Sequence, residues 1–320
     1  MRNPLTGGRP YAIAATVATA AALAVTPGTA AAATAPSAAD ALACAPSGQS
    51  GLMSRVWSSG STARGSKEKD TRAFAASSEI PAGQEPATSE SFTATIPVWF
   101  HVIAASRSPR DGWVSDDQIA RQMDVLNRAF AGGYGGADTG FRFRLAGVTR
   151  TINAEWFAME TFAAEAEAKR ALRRGDATTL NIYSSTAADF LGWAYYPSIV
   201  AGNFEYLDGA VIDFDSMPGG KIRNFNLGHT ATHEVGHWLG LAHTFEQGCV
   251  GHGDHVDDTP AERTPTSGCP AGKDTCPEPG EDPIHNYMDY SYDACYQEFT
   301  TGQALRGQEQ YLFWRVKHGY

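Results

Sequence analysis

The chain has 320 residues and a formal charge of -10 at pH 7, from 35 Asp and Glu against 25 Lys and Arg. That acidic balance argues against a general binder of nucleic acid or anionic membranes, since both need a basic surface. With 42% hydrophobic and 19% charged residues, the chain can build a packed core, and charge-driven disorder is excluded.

In chain order, Arg2 and Arg9 precede an apolar stretch over residues 11–25. Pro27 and Gly28 break it, and small residues follow over 29–33. A basic start, a short apolar middle and a small-residue end predict a secretory signal over 1–33. The alanine-rich stretch is too short to span a bilayer well, so an exported protein without a membrane anchor is expected. Residues 34–91 are rich in Ala, Ser, Gly and Pro and show no sustained period. Such a segment buries too little apolar surface to offset its ordering entropy, and reads as a linker or a pro-segment.

Order is expected from Thr93. Residues 95–104 read as a strand. Ser115 caps a helix with Gln118 three residues on, and Ile119, Met123, Leu126 and Phe130 share one face of it. Phe141, Phe143 and Leu145 alternate with Arg142 and Arg144, which predicts a half-buried strand. A second helix is expected over 161–174, stopping at Gly175, with short strands over 180–183 and 210–214. Thr300 and Gln303 offer a final helix its capping box. The fold class is mixed α/β, and no internal repeat is present.

The chemistry lies in residues 228–243, GHTATHEVGHWLGLAH. His233 and His237 are four apart, so on a helix their imidazoles project from one face, one turn apart. That spacing suits two nitrogen ligands of one Zn²⁺. Glu234 sits beside the first ligand, where its carboxylate can reach a water without ligating the metal. Gly240 can end the helix in a left-handed conformation and return His243 to the same ion. Three His ligands leave one position open, which marks a catalytic zinc site. Downstream, Cys249, Cys269, Cys276 and Cys295 imply two disulfides in an exported protein, with three pairings open. Asp254, Asp257, Asp258 and Thr259 form an oxygen-rich loop suited to Ca²⁺, with Asp254, Asp257 and Thr259 as the candidate ligands.

The pattern H-E-x-x-H-x-x-G-x-x-H resembles the metzincin metalloproteases. THEVGHWLGLAHTF, the DDTP at 257–260 and NYMDYSYDAC together resemble the pappalysin branch, especially its small secreted microbial members. The resemblance covers residues 93–320 and is strongest over 228–303. It implies a metzincin fold: an upper subdomain to about residue 243, with a twisted mixed sheet, an active-site helix and a backing helix, and a loop-rich lower subdomain over 244–320 ending in a helix. Met288 would be the methionine floor beneath the metal, and Tyr290, two residues on, would assist the oxyanion. Asp293 would line a pocket selecting Arg or Lys just after the cut bond. The resemblance favours Cys249–Cys276 and Cys269–Cys295, and it extends to calcium near Asp254, Asp257 and Thr259. It also suggests Cys44 as a pro-segment thiolate on the zinc. If the enzyme cuts before basic residues it could release itself at Arg55, Arg64 or Arg72. Arg64 is the preferred start, giving a pro-segment over 34–63, with a boundary as late as 91, and a catalytic domain over 64–320. The implied function is a secreted zinc endopeptidase acting on proteins or peptides, expected as a monomer. Its rivals are an inactive binding module of the same fold and a zinc amidase acting on a non-protein amide.

Overall fold

The computed structural model describes residues 79–88 and 91–320. The expected signal segment, the segment over 34–63 and Cys44 lie outside the described residues. Five strands, β1 (Ala94–Ala104), β2 (Phe141–Ile152), β3 (Leu180–Ser185), β4 (Gly192–Ala194) and β5 (Ala210–Asp213), form one sheet in the order β2-β1-β3-β5-β4. All neighbours are parallel except β4, which runs antiparallel to β5. Parallel neighbours need crossovers, and α1 (Asp116–Phe130) and α2 (Phe162–Leu172) lie between β1 and β2 and between β2 and β3.

β1 sits inside the sheet, and Ile96, Val98, Phe100 and Val102 are all buried along one face of it. In β2, Phe141 and Phe143 face the core but Leu145 is 39% exposed, against the simple alternation read from sequence. β2 is a terminal strand, and its register with β1 slips between Val98 and Trp99. That leaves Ala146 as an extra residue, which bends the strand away from the core. Ser115 Oγ accepts the Gln118 N–H at 3.1 Å to start α1, and Ile119, Met123, Leu126 and Phe130 are buried. Thr161 Oγ1 accepts the Ala164 N–H at 3.1 Å to start α2. Beneath the edge strand, Glu165 of α2 accepts from Trp193 Nε1 at 2.6 Å and from Tyr195 at 3.0 Å. The same carboxylate pairs with Lys169 at 3.0 Å with both side chains fully buried, so β4 is anchored through satisfied polar groups.

The central helix, α3 (His229–Trp238), is buried at every residue. Enclosure on all sides explains why its sequence shows no solvent face. Beyond Gly240 the chain is mostly loops until α4 (Thr301–Gln310), which continues as a π-helical turn over Tyr311–Lys317. Thr300 and Gln303 close a reciprocal capping box, at 3.1 and 3.0 Å. Disulfides join Cys249 to Cys276 and Cys269 to Cys295, across 27 and 26 residues. By loop-closure entropy each stabilises this region by about 3.5 kcal/mol.

Candidate active site

His233 and His237 project one turn apart from the last two turns of α3. Gly240 then takes φ +88°, and a Cβ there would lie 2.7 Å from Gln310 Cγ, so only glycine makes this reversal without strain. The reversal delivers His243. His233 Nε2 lies 2.9 Å from His237 Nε2, which lies 3.0 Å from His243 Nε2. The other ring nitrogens of the first two fix their tautomers. His233 Nδ1 faces the Tyr287 carbonyl at 2.6 Å, and His237 Nδ1 faces the Leu241 carbonyl at 2.8 Å. A carbonyl only accepts, so both protons sit on Nδ1 and two bare Nε2 lone pairs converge. Facing lone pairs at that distance repel unless a cation lies between them. Tetrahedral bonds of about 2.0–2.1 Å set zinc ligands roughly 3.4 Å apart, close to the spacing found. The residues fit zinc, and the carbonyls behind the rings supply the outer hydrogen bonds such ligands need.

The floor is built from the turn after residue 286. Met288 is fully buried and its sulfur rests against Gly236 of α3, where any Cβ would collide with it. Its carbonyl accepts the Thr244 N–H at 3.3 Å, tying the floor to the residue after His243. The Tyr290 ring lies 5.0 Å from that of His243 and 5.8 Å from that of His233. Glu234 is buried and its carboxylate lies against β4, since a Cβ on Gly192 would sit 2.9 Å from Glu234 Oε1. His229, one turn before His233, stays out of the cluster. It is ringed by Tyr134, Tyr287 and Tyr296 at 5.1, 5.3 and 6.0 Å, and burial lowers its pKa to about 4.

Asp293 is 2% exposed and sits at the N-terminus of α3. Its Oδ2 accepts the Leu227 N–H at 2.7 Å, and the N–H groups of Gly228 and His229 also face it. Burial lifts its carboxyl to about 7 against these donors, while Oδ1 has no hydrogen-bond partner. In the acidic loop, Asp254 is buried and both its oxygens accept from Thr259 Oγ1, at 2.8 and 2.7 Å, whereas Asp257 is exposed. Among the described residues neither Asp254 nor Asp257 belongs to a group of three His, Cys, Asp or Glu side chains close enough to share one ion.

Residues 180–311 match the family model of pregnancy-associated plasma protein-A, peptidase family M43. An extracellular metalloprotease of Neurospora crassa is 48% identical over 218 residues, which is 67% of this chain and 73% of that protein. The chain belongs to the pappalysin family. Extracellular metalloprotease 1 of Coccidioides posadasii is 45% identical to this pappalysin over 238 residues, 73% of this chain and 83% of its own. A promirolysin variant of Tannerella forsythia superposes with a TM-score of 0.61 at 29% identity, covering 71% of this chain and 84% of its own. Mature mirolysin, solved with a cleaved peptide, superposes with a TM-score of 0.57 at 30% identity, covering 70% and 92%. The pappalysin described here is therefore an extracellular zinc metalloendopeptidase with a metzincin fold. Among its described residues no helix is long and apolar enough to cross a membrane.

Several residues that hold this pappalysin's site have no signal in the sequence. Gln122 of α1 donates to the Gly228 carbonyl at 2.8 Å, fastening the backing helix to the start of α3. Arg315 closes the other end: its guanidinium donates to the Trp238 carbonyl at 2.8 and 3.1 Å, and takes both oxygens of Asp208 at 3.1 Å. It also lies 3.5 Å over the Trp238 ring, so a fully buried cation is matched on every side.

Proposed function

We propose that this enzyme hydrolyses peptide bonds at a zinc ion held by His233, His237 and His243, with Glu234 as general base and Tyr290 as the oxyanion donor. The convergence of three buried imidazole nitrogens, two of them with fixed lone pairs, carries the reading. When bound, the zinc acts as a Lewis acid that acidifies water and polarises a carbonyl. Glu234 takes a proton from the attacking water and gives it to the departing amine. Its burial beside Gly192 supports that role, because a carboxylate pinned between helix and strand needs little reorganisation to transfer the proton. Tyr290 donates its phenolic O–H to the carbonyl oxygen as charge develops there, consistent with its ring lying beside those of His243 and His233. The peptide aligns along β4, the terminal strand nearest Glu234, adding a strand to the sheet.

A preference for Arg or Lys just after the cut bond rests on Asp293. One of its oxygens is occupied by the start of α3 and the other makes no hydrogen bond. A guanidinium or ammonium would pair with that second oxygen and hold the carboxyl ionised, whereas a neutral side chain would leave that oxygen without a charged partner. Purified enzyme should hold one zinc per chain, and Glu234→Ala should keep the metal while losing at least about a thousandfold in kcat. Surviving activity in that variant rejects the assigned base. A peptide library showing no enrichment of basic residues after the cleavage point rejects the role of Asp293.

A further inference from the structure

A second polar cluster lies below the site and takes no part in the mechanism above. The Lys273 ammonium sits in a ring of oxygens: the Glu262 carboxylate, Asp282 Oδ2 at 3.0 Å, the Thr264 carbonyl at 2.6 Å and the Thr266 hydroxyl at 3.0 Å. The carboxylates of Glu262 and Asp282 are fully buried, and the lysine side chain is 15% exposed. Asp289, also buried, is a close enough third carboxylate to raise the Glu262 pKa after burial itself. Without a cation, such a group of acids would repel one another and the loops carrying them would part.

Two threads run from this cluster to the zinc site. Glu262 Oε2 accepts the Thr244 hydroxyl at 2.8 Å, and Thr244 directly follows His243. Thr266, whose hydroxyl donates to Glu262 at 2.9 Å, gives its backbone N–H to Asp289 Oδ1 at 2.9 Å. The same oxygen accepts the Tyr290 N–H at 2.7 Å. We propose that Lys273 is a built-in cation and a positioning residue, fixing the third zinc ligand through Glu262 and Thr244 and fixing Tyr290 through Thr266 and Asp289. It does with an ammonium what a bound divalent ion does in other oxygen-lined loops. The inference rests on reading the three imidazoles as zinc ligands and adds a residue that touches neither metal nor substrate.

The test compares wild type with Lys273→Met and Lys273→Ala, measuring zinc affinity by chelator competition, and kcat and KM at saturating zinc. Lys273→Met keeps the length of the side chain without its charge. It should weaken zinc binding by about tenfold or more, the usual scale for groups behind a metal ligand. Its kcat should fall by about tenfold with KM within about twofold, because Tyr290 acts in the transition state. Lys273→Ala opens space among the oxygens, so millimolar Ca²⁺ should return its zinc affinity to within about threefold of wild type. The same Ca²⁺ should leave Lys273→Met unimproved. If Lys273→Met lowers the melting temperature alone, with zinc affinity and kcat within about twofold of wild type, the positioning role is overturned. Failure of Ca²⁺ to restore Lys273→Ala overturns the built-in cation. If neither variant folds, Thr244→Val removes only the hydroxyl on Glu262. It should loosen zinc several-fold at nearly unchanged thermal stability, and unaltered affinity would overturn the proposal. A wild-type enzyme that binds no zinc would instead defeat the underlying reading of the site.

Discussion

Replacing Gly236 by alanine adds one methyl group to the middle of α3 where the Met288 sulfur rests. Two effects of opposite sign compete. Alanine is the better helix former by about 1 kcal/mol, which alone would raise the melting temperature. The new Cβ would fall well inside contact distance of Met288 Sδ, with Met288 Cε at 3.3 Å and Phe299 Cε1 at 3.6 Å. Met288 and Phe299 are fully buried, so neither can swing into solvent, and overpacking of this kind costs about 1–3 kcal/mol. The net is a loss of up to about 2 kcal/mol, or several degrees in a domain of this size. Because the Met288 carbonyl also holds Thr244 beside His243, zinc affinity should weaken with it. Thermal unfolding of zinc-saturated protein reads the first effect, and chelator competition reads the second. In a Met288→Ala background the collision is gone, so Gly236→Ala should there become stabilising. A melting temperature that rises for Gly236→Ala in the wild-type background would refute the packing of the floor against the helix.

Gly192→Ala puts a methyl 2.9 Å from Glu234 Oε1, 3.0 Å from its Cγ and 2.6 Å from the Val211 carbonyl. It should lower kcat by about a hundredfold while zinc content, measured by metal analysis, stays at one per chain. Asp293→Asn should erase any preference for Arg or Lys after the cut bond in a peptide library. Burial holds the Asp254 carboxyl at about 7 in the folded chain against an ordinary 3.8. The native state therefore keeps a proton that the unfolded chain has released between about pH 4 and 7. Stability from this group is present at pH 4 and declines toward pH 7, so Asp254→Asn should gain on wild type across that window in denaturant titrations. N-terminal sequencing of the secreted form should find a start at Arg64, and none beyond Glu79. Glu79 pairs with His255 at 3.2 Å and Arg306 at 3.3 Å, and Phe92 packs 5.2 Å from Phe141.

The zinc helix is legible in the sequence because its constraints are local. Ligands one turn apart, a carboxylate next to the first of them and a glycine at the reversal are fixed by helical geometry within eleven residues. The faces of α1 and the cap of α4 are legible for the same reason. β4 is not: three residues show no alternation, and only pairing with β5 makes Gly192–Ala194 a strand. Nor is the use of Asp293, whose bond to Leu227 spans 66 residues, or of Arg315, which reaches back 77 residues to Trp238. Leu145 turns away from the core although it continues the alternation of Phe141 and Phe143, because the bulge at Ala146 depends on a partner strand. Spacing and periodicity record contacts within one element, and these residues act between elements. Lys273 is the extreme case, an unremarkable lysine in sequence whose oxygens come from four other residues.

The central claim is that His233, His237 and His243 together hold one zinc ion. X-ray absorption at the zinc edge of the processed, secreted enzyme tests it most directly. The account predicts three imidazole nitrogens and one further oxygen donor at about 2.0–2.1 Å, reduced to two imidazoles in His243→Ala. A sulfur neighbour, fewer than three imidazoles in the wild type, or a spectrum unaltered by His243→Ala would contradict it.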